Sequence, residues 1–258
     1  MNRRRLSQLA LVLSIALLAI AAQAQSVAAQ DRVTVRPRRV VLVRSGKIAR
    51  DFPQRKRAIV RYPIVQGISD TKVLRRIQNT LSLKNAFDTS LAEYRQASWF
   101  IDLDYKVNYN KNYLLDITFT QDGMGAYPSI STKHFLINLR NGMVVKGADA
   151  FNPSSLRTLV AMANQKLRTE TKELSQVVDD DKEENAEQKG YLKERLNQLS
   201  FTRQNLDEFS ISDKGVTFLY DAEFPHVIQA IAPDGSYFFS YAELRPYIKG
   251  NGPLGIFK

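Results

Sequence analysis

The sequence predicts an α+β protein: an antiparallel sheet built of hairpins, with a block of two or three helices packed on one face. Three observations carry this. Apolar and polar residues alternate over 101–109 and again over 113–119, the period-2 pattern of half-buried strands. Leu156, Leu159, Val160, Ala163 and Leu167 recur at helical spacing. Strands come in hairpins and helices in a run, which separates this chain from alternating βαβ folds.

The chain opens on an export signal, assigned to residues 1–24. Arg3-Arg4-Arg5 precedes an apolar run from Leu9 to Ala22, and Ala22-Gln23-Ala24 supplies a small-x-small cleavage site. A second such site is Val27-Ala28-Ala29. The run has fourteen residues with Ser14 inside it, whereas a spanning helix needs roughly 20. The expected location is secreted or periplasmic, with no transmembrane helix in the mature protein.

Residues 25–61 read as a basic N-terminal arm. Residues 31–61 hold eleven Lys and Arg against Asp31 and Asp51, a net +9, while 62–258 sums to −1. The formal charge of +11 therefore describes a near-neutral domain with a charged extension. A uniformly basic fold would suit nucleic acid better, so nucleic acid is not the expected partner. Arg36, Arg38, Arg39, Arg55, Lys56 and Arg57 are candidates for contact with an anionic envelope surface; a solvated linker is the alternative. Val40-Val41-Leu42-Val43 inside the arm has the composition of a short strand.

The domain spans 62–249. Tyr62-Pro63-Ile64-Val65 opens it, Asp70 caps a helix carrying Val73, Leu74, Ile77 and Leu81, and the hairpin over 101–119 follows. With its turn centred on Lys111, Asp116 faces Lys106, Asp104 faces Thr118 and Asp102 faces Thr120. Residues 123–129 form a loop, and Asn141-Gly142 predicts a type I′ turn. Asn152-Pro153 starts the next helix. The acidic stretch 170–187 reads as a solvated helix–helix connection. Strand signals return at Phe209, Ile211, Val216, Phe218 and Tyr237-Phe238-Phe239. The tail, 250–258, reads as loop.

Chemistry is sparse. There is no cysteine, and no serine lies in a Gly-x-Ser-x-Gly motif. His134, on the polar face of its strand, and His226 lack metal-ligand spacing, so no metal or cofactor is expected. Asp102 and Asp104 share one strand face, which suits a solvated or ligand-contacting surface better than an acid/base pair across a cleft. Gly123 and Gly125 lack the Lys-Ser/Thr of a phosphate loop; with Tyr127 and Pro128 they suit sugar or protein contacts. Trp99, the single tryptophan, is expected in the core.

Four groups of residues in order carry a resemblance. They are Tyr62-Pro63-x-x-x-Gly67, Gly123-x-Gly125-Ala126-Tyr127-Pro128 followed by Phe135-x-Ile137-x-Leu139-x-x-Gly142, Phe209-x-Ile211 with Gly215-Val216-x-Phe218-x-Tyr220, and Leu244-x-Pro246-Tyr247. Residues 62–249 thus resemble the extracytoplasmic domain of RsiV-like anti-sigma factors, shared with PdaC-like peptidoglycan deacetylases as a non-catalytic N-terminal domain. The resemblance implies an envelope location and a binding or sensing role, with a lysozyme-like protein or a peptidoglycan glycan as partner. Tyr127 stands where that family usually has histidine, and neither the sigma-binding segment and transmembrane helix nor the deacetylase domain is expected from this sequence. Gly123, Gly125, Tyr127, Pro128, Asp102 and Asp104 are the candidate ligand residues. The expectation is a non-enzymatic exported binding protein, with a cell-wall hydrolase or a purely structural envelope protein as alternatives.

Overall fold

The computed structural model describes residues 31–182 and 185–258. The export signal expected at 1–24 lies outside them, as does the side chain of His226. The class is α+β, with the strands divided between two sheets. The larger has the order β1 (Thr34–Val43), β2 (Arg57–Gln66), β3 (Phe100–Lys111), β4 (Leu114–Met124), β5 (Pro128–Asn138), β6 (Met143–Val144). Its neighbours are antiparallel except β2 and β3, which run parallel at Ile59↔Asp102 and Val60↔Leu103. The smaller sheet is antiparallel: β7 (Phe209–Ile211), β8 (Gly215–Leu219), β9 (Ser236–Ser240).

Helix α1 (Gly46–Asp51) joins β1 to β2. Helices α2 (Thr71–Thr80), α3 (Leu83–Phe87) and α4 (Leu91–Gln96) make the crossover that a parallel β2–β3 pair requires. As predicted, Asp70 caps α2, accepting from Lys72 N at 2.8 Å and Val73 N at 3.1 Å. Helices α5 (Gly147–Ala150), α6 (Leu156–Asp180) and α7 (Ala186–Asn197) precede the smaller sheet, and α8 (Tyr241–Leu244) follows it. Most of the acidic stretch 170–187 belongs to α6, which leaves only 181–185 as the connection to α7.

The basic arm is corrected by the structure. β1 and β2 pair along their whole length, from Thr34↔Gln66 to Val43↔Arg57, so the boundary at residue 62 falls inside a strand. Apolar residues drive this: Leu42 and Val60 are fully buried, with Ala58 beside them. Arg36, Arg38 and Arg39, in the preceding part of β1, are exposed, and their charge disguised the length of the strand. Pro37 is tolerated because β1 is the sheet edge. The C-terminal tail also packs: Leu254 is buried and the Phe257 ring stacks 4.0 Å from Tyr241.

The central hairpin turns at Asn112–Tyr113, both with positive φ (56° and 60°), between Lys111 and Leu114. That is the type I′ pattern, found here rather than at Asn141-Gly142, where four residues connect Asn138 to Met143. A left-handed tyrosine is costly. It is held by Tyr113 N donating to Asp31 O (2.7 Å), Leu139 N donating to Tyr113 O (2.8 Å), and Arg140 stacked 4.1 Å over its ring. A bulge at Asn108 then separates Val107↔Ile117 from Tyr109↔Asp116. Beyond it Lys106 faces Thr118, Asp104 faces Thr120 and Asp102 faces Asp122, two residues from the expected register. The Asp116–Lys106 pair does not form.

This end of the hairpin is buried on both faces, not one. Leu115, Ile117 and Ile137 enter the core beneath α2–α4. Tyr109, Leu114 and Leu136 enter a second core with α6 and the smaller sheet. A third cluster, around Val178, Leu192, Leu196 and Phe224, joins α6 to α7. Ile117→Ala is expected to cost about 2–5 kcal/mol in urea unfolding, as large-to-small core changes do. Asp104→Ala, on the exposed face, should stay within about 0.5 kcal/mol.

Candidate functional site

The residues singled out in the sequence gather at the end of the larger sheet away from its turn at Asn112. β4 and β5 stay paired out to Met124↔Pro128. The expected loop over 123–129 is thus a continuing hairpin whose turn is only Gly125-Ala126-Tyr127, closed by Gly125 N donating to Tyr127 O at 3.1 Å. Gly123 is a strand residue. A Cβ there would lie 2.7 Å from Ser129 Oγ and 3.1 Å from the Trp99 ring, so glycine is what lets the indole lie on the strand. Met124 N donates to Trp99 O at 2.7 Å and fixes the same contact.

Trp99 is therefore not a core residue. It is 40% exposed, with Tyr127 at 59% and Ile130 at 73%, and Phe52 is also exposed. Two arginines frame this end. Arg44 is buried and donates to the carbonyls of Arg55 (2.6 Å), Tyr94 (3.3 Å) and Phe100 (2.8 Å). Arg55 donates to the carbonyls of Ser98 (3.0 Å) and Met124 (2.8 Å), with its guanidinium 4.9 Å over the Phe52 ring. Arg55 thus ties the 52–55 turn to the hairpin tip, instead of presenting its charge to an external surface.

The other basic candidates are not brought into one patch. Arg36 and Arg38 share a face of β1 with Val40 and Leu42, and Arg38 lies 5.8 Å over Tyr62. Arg39 points to the opposite face, opposite Arg61. Arg57 opposes Val43, and Lys56 sits in the turn before β2.

The open sheet face beside the tip carries the acids. Asp104 Oδ2 accepts from Arg61 at 2.9 Å, and Asp102 faces Asp122 across the β3–β4 ladder. Burial raises the Asp102 pKa above the ordinary carboxylate range; the neighbouring Asp122 charge adds to this and Arg61 opposes it. Asp122 escaped the sequence reading because a turn centred on Lys111 set Thr120, not Asp122, opposite Asp102. The Asn112-Tyr113 turn by itself would set Gly123 opposite Asp102, and the bulge at Asn108 moves the pairing by one residue to Asp122.

A second polar cluster is buried. Asp116, with no exposed surface, accepts from Asn108 Nδ2 (2.7 Å), Ser210 Oγ (2.8 Å) and Ile211 N (2.6 Å), and His134 Nε2 lies 2.7 Å from its Oδ1. Sequence reasoning placed His134 on a polar strand face without seeing that β7 covers it. Asp, His and Ser recur in hydrolases, but there the histidine takes the serine proton. Here serine and histidine both bind the carboxylate, so the cluster joins the two sheets rather than building a nucleophile. Among the described residues no three His, Asp or Glu side chains converge as metal ligands, and no helix is long and apolar enough to cross a membrane.

The sequence matches no protein-family model and no curated protein. The fold is similar to that of two solved bacterial proteins of the DUF3298 family. One, from Bacteroides fragilis, superposes with a TM-score of 0.57 at 14% identity, covering 89% of this chain and 98% of that one. The other, from Pseudomonas aeruginosa, has a TM-score of 0.50 at 15% identity, covering 86% and 97%. At these identities the likeness is one of fold, and it fits an uncharacterised domain family.

The Asp102–Asp122 pair gives a pH signature. A carboxyl whose folded pKa is raised holds its proton longer in the folded state than in the unfolded chain. Its favourable contribution is complete below the unfolded value, about 3.9, and is lost as pH rises through the folded value. Asp102→Asn should therefore raise the melting temperature at pH 7. The gain should shrink as the pH is lowered through the carboxylate range, measured by thermal melts across a pH series.

Proposed function

We propose that this is an exported cell-envelope protein whose domain binds or senses a partner without catalysis, through the end of the larger sheet. The observation that carries the reading is the exposed Tyr127 and Ile130 on the β4–β5 hairpin, with the exposed Trp99 ring lying against it at Gly123. Aromatic side chains held on ordered backbone supply contact area at little entropic cost, and they are enriched at binding hot spots. The adjacent Asp102, Asp104 and Asp122 favour a cationic partner. A lysozyme-like protein fits that chemistry, and a cell-wall glycan would use the same aromatic surface by stacking. The resemblance to RsiV-like sensing domains points the same way, and the export signal at 1–24 would place the domain where both ligands occur.

The test is a titration of the purified protein against lysozyme and against a soluble peptidoglycan fragment by biolayer interferometry. One of the two should bind saturably. Tyr127→Ala and Trp99→Ala should each weaken that binding about tenfold or more, with the melting temperature nearly unchanged. Binding indifferent to both substitutions, or no binding by either ligand, would overturn this assignment.

A further inference from the structure

The outer face of α6 carries charge that the fold does not use. Arg157, Arg168 and Lys172 are exposed, and the ion pairs formed among the described residues all lie elsewhere. Eleven and four residues apart, the three fall within about 60° of one another around the helix and span about 22 Å along it. The opposite face of α6 is locked into the core by Leu159, Ala163 and Leu167. The three cations are thus presented at a fixed spacing by a rigid element.

Their surroundings select for a ligand. Two grooves, of about 600 Å³ and 560 Å³, flank this face and share Asn164, Arg168 and Lys172. No carboxylate lines either groove, although residues 170–187 are strongly acidic. Glu170 and Glu173 line a different groove with Ser236 and Tyr237 of β9, where Glu170 Oε2 accepts from Tyr237 Oη at 2.9 Å. The one other cation there, Lys193, is already paired with Asp179 at 2.9 Å. Exposed Gln165 and Thr169 lie among the free cations and add neutral hydrogen-bonding groups. No aromatic ring lines either groove, so nothing there would stack nucleobases.

We propose that the α6 face around Arg157, Arg168 and Lys172 is a binding site for a linear, multiply anionic glycan. The cations would pair with its repeated carboxylate, sulfate or phosphate groups, and the amide and hydroxyl side chains would take sugar hydroxyls. This site goes beyond the sheet-end reading and rests on different residues, so either can fail alone.

The test uses a fluorescent heparin octasaccharide as probe, titrated by anisotropy into the purified protein at about 0.15 M salt. A neutral dextran oligosaccharide and an oligothymidine of similar length serve as competitors. The octasaccharide should bind, more weakly as salt rises. The triple variant Arg157→Gln/Arg168→Gln/Lys172→Gln should lose about tenfold or more in affinity. Glutamine is a good helix former, so the helix should persist, which circular dichroism checks. Removing the same charge elsewhere, as Lys47→Gln/Lys72→Gln/Arg75→Gln, should leave affinity within about twofold. No binding by the wild type, or equal losses in both triple variants, would overturn the site. Competition by oligothymidine as effective as by unlabelled octasaccharide would overturn its preference for glycan.

Discussion

The carboxylate of Asp116 is the constraint on which the architecture depends. β4 is buried on both sides near its turn, so its residues serve two cores in alternation, Leu115 and Ile117 on one side and Leu114 on the other. Asp116 sits in that second series, at the seam. A buried, unpaired carboxylate would cost several kcal/mol. Four partners remove the penalty, two from the larger sheet's own strands (Asn108, His134) and two from β7 (the Ser210 hydroxyl and the Ile211 amide). Hydrogen bonds to charged groups contribute roughly 1.5–3 kcal/mol each. The cluster therefore stabilises one specific docking of the smaller sheet on the larger. The Asn108 bulge belongs to the same device. It reverses the strand's facing so that Tyr109 joins the second core while the Asn108 amide reaches Asp116 and Thr118.

What the sequence made legible follows period and caps. The alternation over 101–119, the Asp70 cap, the helix from Leu156 and the strands at 209–211, 215–219 and 236–240 were readable because each is a local pattern. Two kinds of information were not local. Charge hid the extent of β1: Val40–Val43 read as a short strand, but Arg36, Arg38 and Arg39 concealed that pairing with β2 continues to Thr34. A bulge has no signature in a period-2 run, so the shift at Asn108 was invisible, and with it the burial of Asp116 and His134. The hairpin register missed because a tyrosine in the left-handed region is unfavourable by itself. Only the contacts from Asp31, Leu139 and Arg140 make Tyr113 acceptable there.

The candidate site was half legible for the same reason. Gly123, Gly125, Tyr127 and Pro128 stood out by residue type, and Asp102 and Asp104 by alternation. Trp99 did not, because its exposure depends on Gly123 leaving room for the indole. Arg55 was read as surface charge because its acceptors are backbone carbonyls, which carry no sequence mark. The rigidity of the sheet end thus comes from the segment that composition assigned to a loose arm, and a stiff hairpin with exposed rings is what a recognition surface requires.

The measurement that reaches the centre of this account is amide hydrogen exchange on Asp116→Ala beside the wild type. The account predicts a global loss of about 3–5 kcal/mol, with protection falling most at the Ile211 amide and through β7–β9, and least in β1–β3. Unchanged protection at Ile211, with stability within about 0.5 kcal/mol of wild type, would contradict it, and the two sheets would then be held by apolar packing alone.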